Sequence, residues 1–316
     1  MKKGLYLLLV AISFVLIAAG CGTDTANTTP EASGSASEEK IELTHKLGDV
    51  AISKNPKNVV VFDFGILDSL DKMGVEVSGV PQTNIPSYLS KYEDSKYENV
   101  GSLKEPDFEK ISELSPDLII ISARQAEMYE EFTEIAPTLY VEIDYANYMD
   151  SFKGNMNTLA QIFEKEELVE EELAAIDEKI TAVNEKVSAT EATGLIVLAN
   201  EGNISAYGPS SRFGIIHDVF GLKAADENIE VSTHGQNVSF EYIAEENPDY
   251  LFVIDRNAAV GGQTSGQELI ENDLVKNTNA YKNDQIVYLS PDYWYLSGGG
   301  LVSVVEMVNE IEGSIK

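Results

Sequence analysis

Short apolar runs alternate with helix-like stretches along most of the chain. Apolar runs typical of buried strands lie at residues 59–64, 77–80, 118–122, 139–143, 195–199, 204–207, 251–254 and 286–289. Helix-like segments follow several of them, at residues 67–73, at 211–220, where Ser211 would cap the helix, and at 301–311. Strands that alternate with helices indicate a mostly parallel sheet flanked by helices, so the pattern predicts an α/β fold.

Residues 148–190 have a different pattern, with no proline and a single glycine. Apolar residues recur here every three or four positions, at Val169, Leu173, Ile176, Ile180, Val183 and Val187. This spacing predicts a helix with an apolar stripe. Because the segment separates two α/β regions, we predict two Rossmann-like lobes, residues 41–147 and 191–316, with a ligand cleft between them. One long α-helix over residues 148–190 would join the lobes, unless it is a plain surface helix on one of them.

Two segments of the chain repeat each other at a constant offset of 132 residues. The first covers residues 108–124, F-E-K-I-S-E-L-S-P-D-L-I-I-I-S-A-R, and the second covers residues 240–256, F-E-Y-I-A-E-E-N-P-D-Y-L-F-V-I-D-R. Each copy predicts a helix, a turn, a buried strand and then an arginine, Arg124 or Arg256. Ligands of open α/β sheets bind beyond the carboxyl ends of the strands, which is where these arginines would lie.

The chain has only three arginines beside nineteen lysines. The third, Arg212, lies in the segment G-P-S-S-R-F, at a turn that runs into the helix predicted from Ser211, where backbone N–H groups favour anions. A planar guanidinium binds carboxylate, phosphate or catecholate oxygens through several donors at once, which an ammonium group does not. We therefore predict an anion clamp of Arg124, Arg212 and Arg256. The alternative is that biased base composition keeps arginine rare and that the three form structural ion pairs.

Aromatic residues follow the last predicted strand. The segment P-D-Y-W-Y-L holds Trp294, the only tryptophan, and Tyr295. These rings suit stacking on planar ligands and guanidinium groups, or else they fill the core of their own lobe. Of the three histidines, His234 lies in a polar loop and is the candidate for function, although scattered histidines make a weak site for a bare metal ion. The sequence contains no phosphate-binding glycine loop, nucleophile elbow or metalloprotease motif that would indicate an enzyme.

The first forty residues predict an export signal and a tether. Two lysines precede fifteen apolar residues, fewer than the roughly twenty that span a membrane, and the run ends in I-A-A-G-C. We interpret residues 1–20 as a signal peptide and the sole cysteine, Cys21, as a lipidation site of lipobox type, although Ala18 stands where that motif usually has leucine. An ordinary secretory peptide with an accidental cysteine is the alternative. Residues 21–40 have no aromatic side chain and predict a flexible tether.

The charge of the chain narrows its range of partners. The sequence has 22 basic and 53 acidic residues, and without residues 1–20 it would keep 20 basic and 53 acidic ones. We do not expect so acidic a protein to bind nucleic acid, because phosphate contacts dominate that affinity. An anion site is still compatible with this charge, since salt at about 0.15 M screens charges over roughly 8 Å and three clustered arginines outweigh remote carboxylates.

Taken together, the lipobox, the tether, the two α/β lobes, the connecting helix and the arginines resemble the substrate-binding lipoproteins of iron–siderophore ABC importers. These form the helix-linked class III of solute-binding proteins, and the resemblance covers essentially the whole chain. Five segments are most similar to binders of catecholate siderophores, petrobactin especially: V-V-V-F-D-F-G, D-L-I-I-I-S-A-R, G-P-S-S-R-F-G, S-T-H-G-Q-N-V-S and W-Y-L-S-G-G-G.

The resemblance implies a monomeric binding protein without intrinsic cofactor, held by a lipid on Cys21 at the extracytoplasmic face of the cell membrane. Its ligand would be an Fe(III)–siderophore complex, bound by Arg124, Arg212, Arg256, Trp294, Tyr295 and His234. His234 and Tyr295 would ligate the iron only when the siderophore is tetradentate.

The resemblance also implies an acidic residue on each lobe that docks on the ABC permease. Glu109 and Glu241 occupy matching positions in the two repeats and are the candidates, unless they are ordinary solvated helix residues. Two other functions stay open. The ligand of the same class could be haem, a corrinoid or a hydroxamate siderophore, although a neutral hydroxamate complex has less need of three arginines. A surface α/β hydrolase would need a nucleophile and a base, and no such pair is visible.

Overall fold

The computed structural model describes residues 39–316, whose strands form three sheets. The first sheet is an antiparallel hairpin of β1 (Lys40–His45) and β2 (Gly48–Ser53). Strand β1 therefore begins at Lys40, the last residue of the predicted tether. The predicted signal peptide, Cys21 and the tether up to residue 38 lie outside the described residues.

The N-terminal sheet is parallel throughout, with strand order β5-β4-β3-β6-β7. Its strands are β3 (Val59–Val61), β4 (Gly79–Val80), β5 (Glu98–Asn99), β6 (Leu118–Ile121) and β7 (Thr138–Tyr140). Helices α1 (Phe64–Lys72), α2 (Phe108–Leu114) and α3 (Tyr129–Thr133) flank it, with 3-10 turns at Ser87–Glu93, Ala123–Met128 and Tyr145–Asn147. Every residue of β3 and β6 is buried, which explains why these strands read as unbroken apolar runs.

The segment between the sheets contains the predicted long helix, but the predicted bounds of 148–190 are wrong, because a separate helix fills the first part of this segment. Helix α4 (Tyr148–Phe163) ends at Glu164, which has a left-handed backbone with φ of 53°, and α5 (Glu166–Ser188) starts two residues later. Asn55 holds this corner, because its N–H donates to the carbonyl of Ile162 (2.8 Å) and its side-chain amide donates to the Glu164 carboxylate (2.6 Å). Helix α5 buries most of the predicted stripe and is about 34 Å long. No helix within residues 39–316 combines the length and hydrophobicity of a membrane span.

The C-terminal sheet is mixed, with strand order β11-β9-β8-β12-β13 and β10 beside β8. Its strands are β8 (Thr193–Asn200), β9 (Asn203–Tyr207), β10 (Lys223–Ala224), β11 (Gln236–Val238), β12 (Tyr250–Asp255) and β13 (Ile286–Leu289). Strands β8 and β9 form the predicted hairpin. The accompanying helices are α6 (Ile215–Asp218), α7 (Phe240–Glu246), α8 (Arg256–Val260), α9 (Gly266–Ile270) and α10 (Asn279–Lys282), with a 3-10 turn at Val275–Asn277.

The last helix, α11 (Leu301–Ser314), packs against α1 and α5. Its N-terminus meets the buried carboxylate of Asp68 on α1, which accepts hydrogen bonds from the N–H groups of Val302 (3.2 Å) and Ser303 (3.0 Å). A carboxylate in this place satisfies N–H groups that the helix itself leaves free. The segment predicted as the C-terminal lobe, residues 191–316, thus ends in a helix that also packs on the N-terminal half.

The two repeats adopt the same local structure. Helices α2 and α7 both end at a left-handed residue, Ser115 (φ 48°) and Asn247 (φ 45°), followed by the Pro-Asp pair and a buried strand. Asp117 accepts hydrogen bonds from the two backbone N–H groups just before β3, and Asp249 accepts one from the N–H of Thr193 at the start of β8. The shared aspartate therefore fixes each turn to the beginning of the neighbouring parallel strand.

Candidate ligand-binding cleft

A cavity of about 500 Å³ opens between the two halves of the chain. Asp63, Arg124 and Tyr145, which follow β3, β6 and β7, contribute to one wall, while Arg212 and Tyr295 contribute to the other. The cavity thus lies beyond the carboxyl ends of parallel strands, the usual ligand position in α/β sheets. Its volume lies within the range of small-molecule sites, about 300–1,000 Å³.

All three arginines of the chain contact Tyr295. The carbonyl oxygen of Tyr295 accepts hydrogen bonds from Nη2 of Arg212 (2.7 Å) and Nη2 of Arg124 (3.3 Å). Arg256 donates from Nε to the phenol oxygen of Tyr295 (2.9 Å) and from Nη1 to Oδ1 of Asn200 (2.8 Å). The guanidinium of Arg212 also lies 4.6 Å from the centre of the Tyr295 ring. The structure therefore brings the predicted arginines together, although Arg256 reaches the cavity only through Tyr295.

A π-helical turn, Asp292–Leu296, places Tyr295 at this position. Such turns are rare and often occur at functional sites. The N–H of Ser87, from the N-terminal half, donates to the Asp292 carboxylate (3.0 Å), and the hydroxyl of Ser297 donates to the Asp292 carbonyl (2.6 Å). Because the last carbonyls of a helical turn have no partner inside it, the Tyr295 carbonyl is free to accept from the arginines.

No carboxylate in the described part of the chain forms an ion pair with the arginines. Every ion pair within residues 39–316 uses a lysine, and none involves Arg124, Arg212 or Arg256. Arg124 is exposed to the open cleft, but desolvation by the surrounding protein, and then the positive charge of Arg212, lower the pKa of its guanidinium, with a smaller opposing effect from Asp63. Like charges that lie this close without a counter-charge repel each other, and a bound anion would relieve that repulsion.

Local structure fixes Arg124 and Arg256 at the ends of their strands. Arg124 lies in the 3-10 turn after β6, where the N–H of Ser122 donates to Oε1 of the buried Gln125 (3.1 Å). Arg256 is the first residue of α8, whose N-cap Asp255 accepts from the N–H of Ala258 (3.1 Å).

The prediction that Ser211 caps a helix is wrong. Helix α6 begins only at Ile215, and the Ser211 hydroxyl donates to the carbonyl of Gly208 (2.5 Å). The preceding residue, Ser210, is left-handed (φ 58°) and its N–H donates to Asp218 (2.6 Å), so this segment forms a turn. Arg212 therefore owes its position to the Tyr295 carbonyl and ring and not to a helix N-terminus.

Trp294 belongs mainly to the core. It borders the cavity, but only 2% of its surface is exposed and its indole Nε1 donates to Oε2 of Glu310 (2.8 Å). A ring buried to this extent presents little surface to a ligand. The structure thus favours the core alternative over the predicted stacking of Trp294 on a ligand.

His234 is not brought to the cleft. It lies exposed in the loop before β11 and is absent from the cavity wall, which its neighbour Thr233 does line. No group of three His, Cys, Asp or Glu side chains in the part of the chain that the structure describes is arranged to hold a metal ion.

The predicted docking residues occupy equivalent exposed positions. Glu109 lies in the first turn of α2 and Glu241 in the first turn of α7, and neither takes part in an ion pair within residues 39–316. Sequence reasoning missed other residues of the cavity wall. Asp63 lies inside the predicted strand 59–64, so the argument made for the arginines did not reach it; the observed strand β3 ends at Val61. Tyr145 and Tyr148 carried no sequence signal.

Comparison with known proteins gives consistent matches. The sequence profile of the family described as periplasmic binding protein matches residues 59–293. The petrobactin-binding protein YclQ of Bacillus subtilis is 51% identical over the whole of both chains, and its crystal structure gives a TM-score of 0.86 at 54% identity, covering 88% of this chain and 99% of the other.

Two further solved structures give a TM-score of 0.83 each. The iron uptake ABC transporter substrate-binding protein PiuA of Streptococcus pneumoniae is 40% identical, covering 87% of this chain and 98% of its own. The periplasmic catecholate-siderophore binding protein VctP of Vibrio cholerae is 35% identical, covering 87% of this chain and 100% of its own.

Proposed function

Because this chain belongs to the periplasmic binding protein family, we propose that it captures a ferric siderophore outside the cytoplasm and delivers it to an ABC importer. It is a binding protein and not an enzyme. The observation that carries the proposal is the contact of Arg124, Arg212 and Arg256 with Tyr295, without an ion-pair partner among residues 39–316. The relatives support the same function, since YclQ is a petrobactin-binding protein, PiuA an iron uptake ABC transporter substrate-binding protein and VctP a catecholate-siderophore binding protein.

The charge of the cleft supports a catecholate ligand. A ferric ion bound by six ionised catecholate oxygens carries a charge of about −3, which three guanidinium groups match. A hydrogen bond to a charged group contributes about 1.5–3 kcal/mol, so the arginines favour this complex over a neutral hydroxamate. Since YclQ is a petrobactin-binding protein, ferric petrobactin is our first candidate for the ligand.

In our proposal the carbonyl of Tyr295 is a temporary acceptor. It accepts hydrogen bonds from Arg212 and Arg124, and the ligand oxygens would take these hydrogen bonds over. The guanidinium groups are thus held near their binding positions beforehand, which lowers the entropy lost on binding.

Ligation of iron by the protein stays conditional on the siderophore. A tetradentate siderophore leaves two positions of an octahedral iron free, and Tyr295 with His234 are the proposed ligands. The hydrogen bond from Arg256 would stabilise negative charge on the Tyr295 oxygen. His234, which does not line the cavity, would require a movement of its loop.

The test of the clamp is to remove its arginines. We expect Arg124→Ala or Arg256→Ala to weaken the binding of ferric petrobactin at least tenfold, about 1.4 kcal/mol. Quenching of Trp294, the only tryptophan, reports binding because it borders the cavity. A ferric trihydroxamate serves as the control ligand. Unchanged affinity for ferric petrobactin in both variants would rule the clamp out.

Docking on the permease is proposed for Glu109 and Glu241. The repeats offer a matched control, because Glu113 and Glu245 are also equivalent, identical and exposed on the same two helices. We expect the double alanine variant at 109 and 241 to lose siderophore-dependent iron uptake in cells while it binds ligand normally. The double variant at 113 and 245 should keep both. Equal uptake by the two variants would refute the assignment.

The membrane anchor is proposed for Cys21, with the monomeric protein on the outer face of the cell membrane. The family supports an extracytoplasmic location. We expect Cys21→Ala to release the protein into the medium, as measured by fractionation and immunoblotting. Retention of the variant in the membrane fraction would show that another element holds it.

A further inference from the structure

The hydroxyl of Tyr148 is buried and has no hydrogen-bond partner within residues 39–316. Tyr148 is the first residue of α4, is only 5% exposed, and lines the ligand cavity together with Tyr145 and Asp63. Buried polar groups of native proteins are nearly always paired, and one left unpaired costs about 1–3 kcal/mol. An unpaired hydroxyl in the wall of a cleft therefore calls for an explanation.

The nearby carboxylates are committed elsewhere. Oδ1 of Asp63 caps α1 by accepting from the N–H groups of Gly65 (2.9 Å) and Ile66 (3.0 Å), and Asp68 accepts from the N-terminus of α11. Burial, followed by the charges of Tyr145, Asp68 and Asp63, raises the pKa of Tyr148. The hydroxyl therefore stays protonated at neutral pH and can donate a hydrogen bond.

We propose that the hydroxyl of Tyr148 is a further ligand-binding group, which donates a hydrogen bond to an oxygen of the bound ferric siderophore. This inference rests on the proposed function. Tyr148 and Arg124 come from the N-terminal half of the cavity wall and Arg212 from the C-terminal half, so a ligand there would meet guanidinium groups from both halves and one neutral donor from α4. Because the hydroxyl is buried, a ligand would reach it only after the cavity wall around it moves; the neighbouring Tyr145, which also lines the cavity, is 38% exposed.

The experiment replaces Tyr148 by phenylalanine, which removes only the hydroxyl. We expect Tyr148→Phe to bind ferric petrobactin at least fivefold more weakly, while the melting temperature of the ligand-free protein is unchanged or higher because an unpaired group has been removed. Tyr92→Phe is the matched control: Tyr92 is buried away from the cavity and its hydroxyl donates to Asp71 (3.2 Å). That variant should show the reverse, a lower melting temperature and an affinity within twofold of wild type.

Two outcomes would overturn the inference. One is wild-type affinity in Tyr148→Phe, within twofold, in a protein that binds ferric petrobactin. The other is a fall of its ligand-free melting temperature as large as that of Tyr92→Phe, which would assign the hydroxyl a structural partner such as a buried water. If the wild-type protein bound no ferric siderophore at all, the proposed function itself would fail. Wild-type binding that Tyr148→Phe leaves unchanged would overturn only the role of the Tyr148 hydroxyl.

Discussion

Replacing Arg212 tests the reasoning about charge most sharply. Its guanidinium donates to the Tyr295 carbonyl (2.7 Å) and lies 4.6 Å and 5.1 Å from the ring centres of Tyr295 and Phe213. Arg212→Gln keeps a polar side chain of similar length but removes the charge. Losing one charge-assisted hydrogen bond to the ligand costs about 1.5–3 kcal/mol, which weakens binding roughly ten- to 150-fold. Arg212→Lys keeps the positive charge but lacks the planar guanidinium with its several donors, so its affinity for the ligand should fall about three- to tenfold.

Without ligand, the Arg212→Gln variant should unfold with nearly the same free energy as wild type. The lost cation–π contacts are worth about 0.5–1 kcal/mol each at partly exposed sites, and relief of the repulsion between Arg212 and Arg124 offsets part of that loss. The expected change in the free energy of unfolding is therefore below about 2 kcal/mol, the sum of the two contacts before that offset, and urea denaturation measures it.

Titration of Trp294 fluorescence with ferric petrobactin, at low and at high salt, gives the affinities. We expect the affinity of Arg212→Gln to depend less on salt than that of wild type, because this variant has lost the charge that salt screens. The affinity of Arg212→Lys should keep most of its salt dependence, because lysine keeps the charge. The reasoning is refuted if the two variants lose equal affinity, or if Arg212→Gln loses as much for a neutral ferric trihydroxamate.

Three further predictions concern neighbouring groups. Burial raises the pKa of Asp68 from 3.8 to about 7, so the protonated carboxyl stabilises the fold fully below about pH 4, and this contribution is lost as the pH rises to 7. Relative to Asp68→Asn, wild type should therefore lose up to roughly 4 kcal/mol of unfolding free energy over that range. A difference between the two proteins that stays constant with pH would contradict this. Tyr295→Phe removes one of the two hydrogen-bond acceptors of Arg256. With a tetradentate ferric siderophore, and only then, this variant should lose the visible absorption of an iron-bound phenolate. An unchanged visible spectrum would exclude ligation of iron by Tyr295. Glu310→Ala leaves the Trp294 N–H unpaired and should lower unfolding free energy by about 1–3 kcal/mol in urea denaturation; no change would mean that water replaces the carboxylate.

The elements with local signals could be predicted from the sequence. Strand β13 has the predicted bounds, and the repeat predicted two copies of helix, turn and buried strand, because apolar runs and the Pro-Asp pair are local signals that span a few residues. The placement of Arg124 and Arg256 followed from the same local logic. Parallel strands must share one direction, so residues that follow them lie at the same edge of the sheet.

Features that depend on distant contacts could not be predicted. Neither glycine nor proline marks the end of α4; Glu164 takes a left-handed conformation there, and Asn55, more than a hundred residues earlier, bonds to it. The position of α11 likewise depends on Asp68, which is far away in sequence. The role of the Tyr295 carbonyl was also hidden, because no side-chain pattern announces a π-helical turn whose backbone oxygen receives two guanidinium groups.

The most direct test of the central claim is a crystal structure of the protein with a ferric catecholate siderophore such as ferric petrobactin. We expect guanidinium nitrogens of Arg124 and Arg212 within hydrogen-bonding distance of catecholate oxygens, about 2.7–3.2 Å, with the Tyr295 carbonyl released by at least one of them, while Arg256 acts through the Tyr295 phenol. A ligand bound elsewhere, or one bound in the cleft while all three arginines keep their contacts to Tyr295, would contradict the account.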